Sequence, residues 1–283
     1  MGRHPGSGRE AQRTEAPAGE RVAQTIRCAV EYDGTAFFGF QVQAAGRTVA
    51  GEIERSLSQL FEEPVKITGA GRTDTGVHAS GQVISFITAR SFPFQRLGIA
   101  LNSTLPADIS ARDVAVVADG FSARFSARER TYVYAIFNRP DRSALLAHRA
   151  FHVYRRALDL DAMRTAAAQL IGEHDFRSFC GVLPESGVTI REVRSLAIET
   201  RDEVVRIEIR ADGFLHRMVR TIVGTLVECG LGRRDPASMP AILAACDRRA
   251  AGLTAPAHGL YLAGVRYDDY DSYREPPILN WSA

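Results

Sequence analysis

Residues 69–83 read GAGRTDTGVHASGQV, placing four glycines, one arginine, one aspartate and one histidine in a single short stretch. Gly69, Gly71, Gly76 and Gly81 allow a backbone that other residues resist, so the segment can hold Asp74 at the end of a strand. An isolated Asp-Thr-Gly is most often a turn whose aspartate caps nearby backbone amides. Here Arg72 precedes Asp74 by two positions, on the same side of an extended chain, and a neighbouring positive charge keeps a carboxylate ionised. A held, ionised carboxylate can act as nucleophile or base. His78 could serve as a base, but no serine or cysteine stands out near it as a nucleophile; it is expected to order the loop.

Asp-Thr-Gly also occurs in aspartic proteases, which need two carboxylates sharing one proton. This chain has no second Asp-Thr-Gly or Asp-Ser-Gly. A dimeric protease with one copy per chain would be far shorter, and an adjacent arginine opposes a shared proton. Nucleotide and metal chemistry also lack their sequence marks: there is neither a dinucleotide nor a Walker glycine pattern. The four cysteines, Cys28, Cys180, Cys229 and Cys246, form no CxxC pair. That usage fits reduced thiols in a cytosol.

Charge says less in total than in kind. Thirty-five basic residues against 33 acidic leave a net of +2, which does not by itself announce nucleic acid. Lys66 is the only lysine. A GC-rich coding bias accounts for most of that skew, yet arginine is also the better fork for phosphate and the better stacking partner for bases. Arg124, Arg128 and Arg130 fall beside Phe121, Phe125, Tyr132 and Tyr134, and Arg155–Arg156, Arg217/Arg220, Arg233–Arg234 and Arg248–Arg249 add further pairs. Arginines interleaved with aromatics are a common nucleic-acid footprint.

The elements that must position these groups follow from periodicity. TIRCAVEYD (25–33) alternates as a strand; Thr48 caps a helix over 49–62; short strands are expected at 65–71 and 82–88, a helix at 94–103 and a strand at 109–117. Further on come a strand at 130–138, a helix at 159–171, a hairpin of 191–200 with 203–211, a strongly apolar helix at 214–229 ended by Gly230, a short helix near 236–247 and a strand at 259–267. Mixed helices and strands with hairpin-like neighbours predict an α+β fold with a largely antiparallel sheet. At 283 residues and 45% apolar composition the chain can bury a large core without disulfide or metal staples. No window of 18 apolar residues predicts a membrane span, and the N-terminus lacks the apolar run of a secretory signal. The expected organisation is a disordered tail over 1–24, an α+β half over 25–120 carrying the Asp74 loop, a second half over 121–268 and a polar tail over 269–283.

The segments YDGTAFFGFQ, RTVAGEIE, GAGRTDTGVHASGQV, LNSTLPADI, FSARFSARERTYVY, DFRSFC, GFLHRMVRTIVGTL and GLYLAGV stand in the order seen in the bacterial tRNA pseudouridine synthase A family, which the chain resembles from about residue 25 to residue 268. The resemblance implies isomerisation of uridine to pseudouridine at positions 38, 39 and 40 of tRNA anticodon arms. It implies two ferredoxin-like α+β halves with a joined sheet and a central cleft, and a cytoplasmic homodimer in which one tRNA touches both subunits. Asp74 matches the family's catalytic aspartate. Arg72 beside it is expected to belong to the catalytic group, and Arg220 matches the arginine that pairs with the catalytic carboxylate, Arg217 being left for phosphate or the reverse. Tyr132 matches the tyrosine that stacks on the target base, with Tyr134 its competitor; Leu260 or Leu262 supplies an apolar wall. Uracil carries the leaving electrons itself, so neither metal nor organic cofactor is implied. Two rivals make different predictions. A non-catalytic tRNA-binding module or chaperone would bind without turnover, and a hydrolase using the glycine loop would depend on a nucleotide or a metal.

Overall fold

The structure, a computed structural model, describes residues 23–90 and 92–279. The N-terminal tail expected over 1–24 lies outside these residues apart from its last two positions. Ten strands form one sheet: β1 (Gln24–Tyr32), β2 (Thr68–Gly69), β3 (His78–Thr88), β4 (Ile109–Val117), β5 (Glu129–Asn138), β6 (Phe151–Val153), β7 (Gly172–Asp175), β8 (Ile190–Arg201), β9 (Val204–Ala211) and β10 (Leu260–Arg266). The helices are α1 (Val49–Phe61), α2 (Phe94–Thr104), α3 (Leu160–Ala168), α4 (Met218–Gly230) and α5 (Met239–Ala245). The main strand order is β4-β1-β3-β10-β5-β9-β8-β7, with β2 beside β3 and β6 beside β5. Pairing is antiparallel except between β3 and β10 and between β5 and β6. The chain is thus α+β with a largely antiparallel sheet, as its patterning predicts.

The parallel joint matters most. Tyr261 aligns with His78 and Leu262 with Ala79, so β3 and β10 start at the same end of the sheet, beside the Asp74 loop. The approach is close: a Cβ on Gly81 would stand 2.1 Å from the carbonyl oxygen of Ala263. On the other side of β10, Leu260 aligns with Tyr134 and Leu262 with Tyr132.

One face of the sheet carries the main core. Ile26, Cys28 and Val30 of β1 pack in the same cluster as Ile53, Leu57 and Phe61 of α1, and Tyr134, Ile136, Ile207 and Ile209 share it with Met218, Ile222 and Leu226 of α4. Thr48 caps α1 by accepting the Gly51 N–H at 3.3 Å, worth about 1 kcal/mol. Val133, Ala135, Phe137, Tyr261 and Ala263 point to the other face, where Ala150 and Leu279 cover them. The polar segment after Asp268 is therefore laid on the sheet as far as it is described. Ser272 donates to the Gly81 carbonyl at 2.6 Å, and Glu275 pairs with Arg206 of β9 at 2.8 Å.

Several elements differ from the periodicity. β3 starts at His78, four residues before Gln82, because it is buried between β1 and β10 and has no solvent face to alternate against. β6 and β7 were not foreseen; they are short and partly polar, and their existence depends on pairing with β5 and β8. α4 begins at Met218 rather than at 214, since Arg217 takes a left-handed conformation with φ of 59°.

Candidate active site

The loop from β2 to β3 is braced from several sides. Gln82, fully buried, grips both polar groups of the Gly71 backbone, accepting its N–H at 3.2 Å and donating to its carbonyl at 2.8 Å. The Tyr32 hydroxyl lies 2.7 Å from Thr73 Oγ1. Phe40 N–H donates to the Thr73 carbonyl at 3.0 Å, and Val77 N–H donates to the Asp74 carbonyl at 3.1 Å. That last turn needs the positive φ of 77° at Gly76. The scaffold is therefore rigid, while the Asp74 carboxylate takes no hydrogen bond from its own loop among the described residues. A turn-capping aspartate would do the opposite.

Its partners come from the start of α4, 146 residues away in sequence. Arg220 Nη1 donates to Asp74 Oδ2 at 2.8 Å. The guanidinium is oriented from behind, since its Nε donates to the Ala255 carbonyl at 2.8 Å while Ala255 N–H donates back to the Arg220 carbonyl at 3.0 Å. Arg217 Nε stands 3.9 Å from the same oxygen, and His216 Nε2 stands 3.7 Å from Asp74 Oδ1. Gly181 N–H donates to the His216 carbonyl at 2.8 Å, which ties the turn ahead of α4 to the chain beyond β7. Asp74 thus faces one direct charge-assisted bond, a more distant guanidinium and an imidazole, with its side chain 23% exposed.

The carboxylate looks into a cleft of about 650 Å³ bordered by Tyr132, Phe214, Val77, Leu260, Arg72 and Arg124, among others. Tyr132 meets Phe214 edge-to-face, with ring centroids 5.1 Å apart and planes at 88°. Burial holds the Tyr132 phenol well above its ordinary pKa, and the nearby Asp74 carboxylate pushes the same way, so the ring is neutral at physiological pH. Tyr134, two residues along, is fully buried and donates its hydroxyl to the Pro256 carbonyl at 2.7 Å. Of the two leucines, Leu260 borders the cleft, whereas Leu262 lies beneath it beside Gly71.

Arg72 is exposed at the cleft edge and forms no ion pair with Asp74 among the described residues. The arginine that meets the carboxylate is Arg220, not its sequence neighbour. The basic cluster of 124–130 also divides. Arg130 is turned onto the carbonyls of Ala127, Asp212, Arg124 and Ala70, and Arg128 is paired with Asp268 at 2.9 Å, leaving Arg124 facing the cleft. His216 was not singled out from the sequence. Its position four residues before Arg220 was the available signal. His78 is buried within hydrogen-bond reach of Gly34 N–H and the His148 carbonyl, so it braces the chain. No group of three or more His, Cys, Asp or Glu side chains among the described residues is placed to hold a metal ion.

The model of the tRNA pseudouridine synthase family matches residues 28–126 and 166–268, which include Asp74 and Arg220. A tRNA pseudouridine synthase A of Brevibacillus brevis is 48% identical over 242 residues, covering 86% of this chain and 99% of that protein. Proteins of the same name are 43% identical in Caldicellulosiruptor bescii and 42% identical in Bacillus subtilis, each over 86% of this chain and 99–100% of their own length. A match spanning almost the whole of these relatives, with the aspartate loop and the arginine helix both inside the family's boundaries, means that the chain belongs to the tRNA pseudouridine synthase family.

Proposed function

We propose that this chain isomerises uridine to pseudouridine in tRNA, at positions 38, 39 and 40 of the anticodon arm, with Asp74 as the catalytic group. The observation that carries the reading is the Asp74–Arg220 pair at 2.8 Å on the wall of a cleft that also holds Tyr132. The reaction breaks the N1–C1′ bond, turns the uracil and forms a C5–C1′ bond, with the C5 proton released. The target base must first leave its stack, at a cost of a few kcal/mol. Tyr132 and Leu260 offer it a new apolar and aromatic enclosure, and stacking on an aromatic ring returns about 1–3 kcal/mol. Asp74 then attacks the sugar or the base, or removes a sugar proton. Arg220 pairs with the carboxylate and aims it, and Arg72 at the cleft edge meets the RNA.

The same reading includes a homodimer with one tRNA touching both subunits, residues 25–120 and 121–268 as the two halves around the cleft, a cytoplasmic setting, and a reaction without metal or organic cofactor. Tritium release from C5-labelled uridine in unmodified tRNA, run with and without chelator, tests the activity. Release in both arms is expected. A folded protein that binds this tRNA without releasing tritium would be a binding module, and release abolished by chelator would point to metal-dependent chemistry. Sedimentation with and without tRNA tests the dimer.

A further inference from the structure

At the edge of the cleft a phenyl ring is held out into solvent on a rigid support. Phe125 is 80% exposed and borders the same cleft as Asp74 and Tyr132. Its turn is pinned from below. Ala123, fully buried, donates its N–H to Ser85 Oγ at 3.0 Å and accepts the Tyr267 hydroxyl on its carbonyl at 2.7 Å. Within the turn, Ser126 N–H donates to the Ser122 carbonyl at 3.0 Å, Ser126 Oγ accepts the Ser122 N–H at 3.1 Å, and Arg130 holds the Arg124 carbonyl. The core has thus taken the small neighbour and left the large apolar one outside. The Arg124 guanidinium lies 5.2 Å from the Phe125 ring centroid. An anchored aromatic with an arginine beside it is the composition of a base-stacking platform.

The surroundings say what kind of partner fits. Arg72, Arg191 and Arg217 border the same cleft as Arg124, a setting for a polyanion. An enzyme that draws one uridine out of its stack strips a stacking face from each neighbouring base. Tyr132 lies inside the cleft, 8% exposed and already in contact with Phe214, so it is placed for the extruded base and not for the base next to it. We propose that Phe125, backed by Arg124, stacks on a nucleobase flanking the target uridine and so compensates for the stack broken when that uridine leaves the helix. The proposal rests on the reading that the substrate is tRNA.

Three substitutions test it: Phe125→Ala, Phe125→Leu and Phe125→Trp, measured for tRNA affinity and for the KM and kcat of tritium release. Because the ring is in solvent, the melting temperature should not move. Stacking predicts that the Ala and Leu variants weaken tRNA binding and raise KM about tenfold, with kcat close to the parent, while the Trp variant binds at least as tightly. In a background carrying Trp281→Phe, the Phe125→Trp fluorescence should be quenched by tRNA. Parent-like affinity in the Ala variant, or full affinity in the Leu variant, would overturn the platform while leaving the isomerase reading intact. Failure of the parent protein itself to form pseudouridine would instead overturn that reading.

Discussion

Two clusters in this molecule bring an aspartate, an arginine and a histidine together, and they are built to opposite ends. At Asp33, Arg149 stands 2.7 Å away and His78 Nδ1 3.1 Å away; at Asp74, Arg220 stands 2.8 Å away and His216 Nε2 3.7 Å away. Residue type alone does not separate them. Hydrogen-bond occupancy does. Asp33 Oδ1 accepts both the N–H and the hydroxyl of Thr35, at 3.1 and 2.7 Å. Burial alone would raise the Asp33 pKa, but the Thr35 bonds and the Arg149 charge outweigh it and hold the carboxyl at about 2. His78 is enclosed and stacked on Tyr261 at 4.8 Å. Every strong group there already has a partner, so the cluster clamps the start of the turn at Gly34. Asp74, at the border of a cleft, takes one hydrogen bond, from Arg220, and its other oxygen has only His216 Nε2 at 3.7 Å. Reactivity sits where hydrogen-bonding capacity is left open on a rigid frame.

The strongest way to break this comparison is to neutralise each aspartate in turn. Asp74→Asn keeps the shape and removes the charge. Tritium release should fall below detection, tRNA binding should persist or tighten, and the melting temperature should stay within about 2 °C of the parent. Asp33→Asn should do the reverse, keeping turnover near the parent value while losing about 1 kcal/mol of stability, or about 2–4 °C in Tm. Turnover near wild type in a folded Asp74→Asn protein would remove Asp74 from the chemistry.

The two tyrosines of β5 give the same contrast within one strand. They share a face, yet Tyr132 borders the cleft and Tyr134 is sealed in the core with its hydroxyl bonded to Pro256. Tyr132→Ala should lower kcat/KM by about 5- to 150-fold, the range of one lost base stack. Tyr132→Phe retains the ring and should keep tRNA affinity. Tyr134→Phe leaves the Pro256 carbonyl without its donor and should cost about 1 kcal/mol of stability with little effect on the reaction. Kinetic damage from Tyr134→Phe with none from Tyr132→Ala would exchange the roles.

Much of this frame was legible because it is local. The Thr48 cap, the apolar stripe of α4 and the 201–204 hairpin turn each depend on neighbours in sequence, and each formed where periodicity put it, within a few residues. What escaped is what the tertiary fold decides. Arg72 is the nearer cation to Asp74 along the chain, but Arg220 reaches it because the turn before α4 is tied to Gly181. Residues 214–217 carry helical spacing, and no local signal announces the left-handed Arg217 that brings His216 toward Asp74. The segment after Asp268 looks like a loose polar tail, yet its Leu279 closes an apolar patch that exists only once β5 and β10 are paired.

Acidification sharpens the comparison by loading the clamp. Burial lowers the pKa of His78, the Asp33 and Arg149 charges acting in opposite directions, and burial likewise lowers that of His258. A histidine whose folded pKa lies below its unfolded value of about 6.5 takes up protons more readily when unfolded. Its contribution to stability is complete above pH 6.5 and declines as pH falls from there toward the folded pKa. Asp33, held at about 2, adds a second loss, beginning near pH 4 and complete only below about 2. Tm should therefore decline by several degrees from pH 7 to pH 5 and continue down below pH 4. His78→Asn, which keeps an acceptor near the Gly34 N–H and cannot titrate, should lower Tm at pH 7 but flatten the upper part of the decline. An unaltered slope would place the acid sensitivity elsewhere, His258 being the next group to substitute.

The smallest expected effect separates two arginines four positions apart. Arg124 borders the cleft beside Phe125, whereas Arg128 is held by Asp268 through two bonds of 2.9 Å. Both lie in the segment whose arginines and aromatics look like a nucleic-acid footprint. Affinity for tRNA should fall with salt, log K being linear in log salt, because each phosphate neutralised by a cation releases condensed counterions. An arginine that meets phosphate contributes about one unit to that slope, so Arg124→Gln should reduce it by about one. Arg128 presents a pair with little net charge to the RNA, and Arg128→Gln should leave the slope nearly unchanged. Replacing Asp268 by Asn should then steepen it, since the released Arg128 becomes available to phosphate. Equal slope changes for Arg124→Gln and Arg128→Gln would mean that tRNA displaces Asp268 on binding, and the division of this cluster into a cleft-facing cation and a neutralised one would fail.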